Sequence, residues 1–126
     1  MTLVLDAGAL LAVERRDRDV LLALRDEREA GRAARTHGGV VGQVWRGGGP
    51  RQAGLARGLS GLDVRPLDLT LGRRAGELLA RTRGGDVVDA ALVLLAEDGD
   101  TIATSDPDDI AVLVAAAGRR VDIVIV

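Results

Sequence analysis

The period of the apolar positions changes repeatedly along the chain, and each change marks a structural element. Leu3-Val4-Leu5 is a short apolar run that reads as a buried strand ending in Asp6. Ala7-Gly8-Ala9-Leu10-Leu11 then begins a helix that Asp6 or its neighbours can cap. Val20, Leu21 and Leu24, set among Arg and Glu, predict an amphipathic helix over 19–33 that ends near Gly31. Ala34 to His37 fits a short strand, and Val40 to Trp45 a helix closed by Gly47-Gly48-Gly49-Pro50. Gln52 to Leu59 is a further helical stretch. Leu62 to Leu67 alternates apolar and polar up to Pro66, as a strand near a sheet edge does. Leu71, Ala75, Leu78 and Leu79 share one face of a helix from Leu69 to Leu79. After Gly84-Gly85, Asp86 opens a helix that is apolar nearly all round and should be buried. Thr101 to Thr104 reads as a strand, Pro107 to Ala117 as a helix with Pro at its start, and Val121 to Val126 as a last strand.

Strands alternating with helices in this way predict an α/β fold: a parallel sheet of four or five strands covered on both faces. The 126 residues suit one domain, and the sequence shows no linker or internal repeat. The sequence is 47% hydrophobic but 1% aromatic, so the core must be Leu, Val, Ile and Ala. No segment approaches the roughly 18 apolar residues that span a bilayer. Met1 leads straight into an apolar run with no basic stretch before it, so no signal peptide and a cytoplasmic location are expected. Without cysteine there are no disulfides, zinc thiolates or thiol nucleophiles, and one histidine, His37, cannot build a His-rich metal site. Lys plus Arg number 17 against 19 acids, which is no basic footprint for duplex nucleic acid. All 17 cations are arginine, so chemistry that needs a lysine is excluded.

The acids carry the chemistry. Parallel sheets bind ligands outside the carboxyl ends of their strands, at the point where strand order reverses. Asp6 ends the first strand and Asp106 follows the fourth, while Asp86 and Asp89, three apart, share one face of the apolar helix. Carboxylates crowded at one rim raise one another's pKa unless a cation neutralises them. An all-oxygen donor set favours Mg²⁺ or Mn²⁺, ions suited to displacement at phosphate.

These segments resemble a family. Val4-Leu5-Asp6-Ala7-Gly8-Ala9-Leu10-Leu11 is similar to the opening of a PIN domain, Asp86-Val87-Val88-Asp89-Ala90-Ala91-Leu92 to its second acidic motif, and Thr104-Ser105-Asp106 to its Thr-x-Asp third motif. The likeness runs over nearly the whole chain, in order. It implies a PIN-like three-layer sandwich and a metal-dependent endoribonuclease that hydrolyses RNA with a metal-activated water. Many small PIN proteins are toxins of VapBC-type toxin–antitoxin pairs, so it further implies a homodimer inhibited by a cognate antitoxin. Asp6, Asp86, Asp89 and Asp106 would be metal ligands. One position departs from the pattern: Gln43 stands where the family usually has Glu. A Gln carbonyl can still serve the site but brings no charge, and Asp86 would restore the count of four carboxylates.

Blander readings apply elsewhere. Asp108 and Asp109 suit the first turn of a helix, where the dipole favours acids. His37 reads as a strand-end structural residue, and Trp45 as packing or an exposed interface. Arg46 and Arg51, beside the Gly-rich loop, are candidates to hold RNA phosphates. Gln43 also supports a second reading, a PIN-like binding or dimerisation module that has lost catalysis. Receiver domains and haloacid-dehalogenase-like phosphatases also place Asp at strand ends, but both normally use a lysine that this chain lacks.

Overall fold

The computed structural model describes residues 1–126. Strands β1 (Leu3–Leu5), β2 (Arg35–His37), β3 (Asp63–Arg65), β4 (Thr101–Thr104) and β5 (Asp122–Ile125) alternate with helices α1 (Ala7–Glu14), α2 (Arg18–Glu29), α3 (Gly38–Val44), α4 (Ala53–Ser60), α5 (Leu69–Ala80), α6 (Val87–Leu95) and α7 (Pro107–Ala117). A 3₁₀ turn, Pro50–Gln52, precedes α4. Every element expected from the apolar pattern is present, with ends shifted by a few residues. The five strands form one all-parallel sheet in the order β3-β2-β1-β4-β5.

That order explains the layers. From β1 to β3 the chain steps in one direction, and from β3 through β4 to β5 in the other. Parallel crossovers are right-handed, so the two directions send their helices to opposite faces. Packing agrees: α1 touches α2, α3 and α4, while α5, α6 and α7 touch one another. The central strand β1 is buried throughout, whereas the edge strands β3 and β5 are mostly exposed. The Leu62–Leu67 segment thus lies at a sheet edge as its proline requires. A core of 22 buried aliphatic residues joins both layers, including Ala90, Ala91, Leu92 and Val93 of the apolar helix α6. No helix is long and apolar enough to cross a membrane.

Trp45 is half-buried against this core, not exposed. Its indole lies over Gly48, where a Cβ would come within 2.5 Å of the ring. Nearby, Gln52 has a duty that its polar side chain did not advertise. It is buried, its Oε1 accepts from the backbone N–H groups of Arg46 (2.9 Å) and Gly48 (3.1 Å), and its Nε2 donates to Glu14 Oε1 (2.7 Å) and the Val44 carbonyl (2.9 Å). One amide with all its bonds made therefore holds the Gly-rich loop against α1 and α3. Gln52→Leu strands several of these partners. It is expected to cost about 2 kcal/mol in urea unfolding and to open the loop to trypsin at Arg46 and Arg51.

Candidate functional site

Order reversal between β1 and β4 puts the crevice of the sheet at their carboxyl ends. Leu5 pairs with Ala103, so the next residues, Asp6 and Thr104, fall side by side. The Asp6 carboxylate is buried and accepts three hydrogen bonds. One oxygen accepts from the Ala9 N–H at 2.8 Å, capping α1; the other accepts from the Thr104 hydroxyl and from the Ser105 N–H at 3.3 Å. Thr104 in turn accepts the Asp106 N–H at 2.8 Å, so one hydroxyl sets the acid of β1 and the start of α7 in fixed relation. Gly8 makes the approach possible, because a Cβ there would lie 2.5 Å from Ser105 Cβ.

Asp106 sits at the N-cap position of α7, yet its side chain makes no capping bond. A carboxylate that declines the usual local partner is free to act outward. Asp86 does cap its helix, accepting from the N–H groups of Val88 (2.6 Å) and Asp89 (3.4 Å) through one oxygen. Asp89, one turn on, is half-buried. Burial, followed by the negative charges of Asp86, Asp6, Asp106 and Asp109, pushes its pKa from 3.8 up to about 6. These four aspartates therefore share a field with Asp89, although they come from three separate segments. Asp109 had seemed only a first-turn acid of α7; its place one turn beyond Asp106, on the helix that leaves β4, brings its charge toward Asp89 as well.

His37 buttresses the same rim. Wholly buried at the end of β2, it caps α3 by accepting the Gly39 N–H at Nδ1 (3.1 Å), so its proton lies on Nε2, which donates to the Val88 carbonyl at 2.9 Å. Burial lowers its pKa, which suits this neutral tautomer. The strand-end structural reading of His37 is what the geometry displays.

The candidate residues do not all converge. No three of the Asp, Glu and His side chains, Asp6, Asp89 and Asp106 included, are gathered closely enough to form a ready-made ion cage. Mutual repulsion keeps carboxylates apart, and Asp6 and Asp86 turn oxygens to backbone amides. Gln43 does not join the aspartates. It is exposed on α3 and lines a hollow of about 670 Å³ beside Leu11, Glu14 and Arg51 that includes none of the four aspartates. Arg46 is not a free phosphate ligand, because its guanidinium donates to the carbonyls of Gly42 (3.2 Å), Gln43 (3.1 Å) and Trp45 (2.6 Å) at the end of α3. Arg51 makes no such bond and borders the Gln43 hollow.

The raised pKa of Asp89 reflects burial first and the neighbouring carboxylates second, and carboxylate oxygens of this kind are donors that a hard divalent cation takes. Comparison with known proteins brings no relative to bear: no family model matches the chain, and no curated protein matches it.

Proposed function

We propose that this chain is a metal-dependent endoribonuclease of the PIN type, acting in the cytoplasm as the toxin of a toxin–antitoxin pair. The single observation that carries the reading is that Asp6 and Asp106 follow the adjacent strands β1 and β4 at their carboxyl ends, with burial and the charges of Asp86, Asp6, Asp106 and Asp109 raising nearby Asp89 to about 6. Asp6, Asp86, Asp89 and Asp106 would hold Mg²⁺ or Mn²⁺, which supplies a Lewis acid for hydrolysis of a phosphodiester. The chain's own part is to fix the carboxylates. Thr104 aligns Asp6 with α7, His37 ties the first turn of α6 to β2, and Asp106 projects with no local partner. A homodimer and a cognate antitoxin belong to this reading through the resemblance of the three acidic segments.

A second reading, a PIN-like module without catalysis, draws on Gln43 and on the absence of a ready-made cage. Incubating purified protein with single-stranded RNA and millimolar Mn²⁺, with EDTA as control, separates them. Metal-dependent cleavage is expected, and Gln43→Glu is expected to change its rate less than about three-fold, because this side chain lines a different hollow. A wild type that leaves RNA intact while Gln43→Glu cuts it would establish the non-catalytic module.

A further inference from the structure

Electrostatics pose a problem for the nuclease reading. A polyanion approaching the rim meets massed aspartates on a chain of net charge −2, and Arg46 is spoken for. Affinity must come from another surface. A second hollow, again about 670 Å³, lies where α1 ends, between α2 and α4. Arg18, Arg25 and Arg28 of α2 line one side, and Arg16 and Arg57 the other, with no Asp or Glu among the lining residues. Only Arg25 has an ion pair, with Glu29 at 2.9 Å; the side chains of the other four bond nothing in the protein. Gly54 and Gly58 border the hollow on α4, where Gly58 sits so close to α1 that a Cβ would meet Val13 Cγ1 at 2.7 Å.

Arg16 stands just past the end of α1. It is the only non-glycine residue with positive φ, 60°, a left-handed backbone that glycine or asparagine would adopt more cheaply. That conformation closes α1 in a Schellman turn, with the Arg16 N–H donating to the Val13 carbonyl at 3.0 Å and the Asp17 N–H to the Ala12 carbonyl at 2.9 Å, and it sets Arg16 at the edge of the groove. The floor of the groove is apolar, formed by Val13, Leu21, Leu22, Leu24, Ala34 and Leu62, with the arginines as its only charges and no aromatic residue to stack a base. Guanidinium forks match phosphate oxygens well.

We propose that this arginine-lined groove binds the phosphodiester backbone of single-stranded RNA, independently of base sequence, as an anchor remote from the acidic rim. The proposal rests on the RNA reading above and adds to it where the substrate is held. The 8 residues of α1, a helix covered by α2, α3 and α4, separate the two sites by about 12 Å at helical rise.

The test measures binding of a short fluorescein-labelled oligouridylate by anisotropy, in EDTA so that no cleavage intervenes. Two triple variants remove equal charge: Arg18→Gln/Arg28→Gln/Arg57→Gln in the groove, and Arg73→Gln/Arg74→Gln/Arg83→Gln, exposed residues on and after α5. The groove variant is expected to bind about ten-fold more weakly and to flatten the slope of log affinity against log salt by about 2. The α5 variant should change affinity less than about three-fold. Equal losses in both variants, or none in the groove variant, overturn the proposal. Displacement of the RNA by poly-glutamate as readily as by unlabelled RNA would also overturn it, assigning the groove to acidic protein segments. Cleavage in Mn²⁺ is scored separately. Groove-dependent binding without cleavage sinks the catalytic reading alone, and cleavage with unchanged binding by the groove variant sinks the anchor alone.

Discussion

Asp89→Asn is expected to abolish metal-dependent cleavage and, at the same time, to stabilise the metal-free protein at pH 7. The folded pKa of about 6 lies above the ordinary 3.8, so between these values the folded chain holds a proton that the unfolded chain has released. Stability contributed by the protonated form is complete below the lower value and is lost as pH rises through the upper one. Asparagine does not titrate. Allowing for solvent screening of a half-buried group, the variant should gain about 1–2 kcal/mol at pH 7, several degrees in melting temperature. The gain should vanish at pH 4. Mn²⁺ should reverse the ranking, since an ion at 100 times its Kd stabilises the wild type by about 2.7 kcal/mol and the variant hardly at all. Thermal melts across pH, with and without Mn²⁺, check both signs. A wild type and variant that melt together at pH 7 would show that the carboxylates do not burden one another.

Gly8→Ala is expected to be the most damaging one-methyl change at the rim. Its Cβ would meet Ser105 Cβ at 2.5 Å and Ser105 N at 3.2 Å, atoms fixed by the β4–α7 corner. The first turn of α1 must move away from that corner, costing about 1–3 kcal/mol as overpacking does. The displacement parts Asp6 from Thr104, so cleavage should fall further than stability alone requires. Chemical denaturation and turnover of the surviving folded fraction separate the two effects. Gly72→Ala, at a helical position where a Cβ meets nothing within 4 Å, serves as the benign control.

The fold was legible because its elements have strong local signatures. Leu3-Val4-Leu5 is too short and apolar for anything but a buried strand, Pro107 marks a helix start, and Gly84-Gly85 separates α5 from α6. Strand order was not legible, since the stretch between β3 and β4 carries no mark of the reversal that sends α5 to the opposite face. The rim acids divide in the same way. Asp6 and Asp106 follow strands directly, whereas the reach of Asp109 depends on how α7 leaves β4. Gln52 could not have been found by type, because glutamine is usually exposed and only its four partners reveal the role. Gln43 was placed by likeness to a pattern, and a short helix ending in Trp45 carries it toward a separate hollow.

The bond between Thr104 and Asp6 joins residues 98 positions apart, and β1 pairs with β4 across the same long separation, well after β2 and β3. During synthesis, β1, β2 and β3 can pair long before β4 emerges, yet the crevice has only one wall until then. Such distant closure is slow and late in folding. A nascent chain on the ribosome would thus carry Asp6, Asp86 and Asp89 without the partner that organises them. If the protein does cut RNA, the translation machinery that makes it is spared for as long as β4 is still unmade.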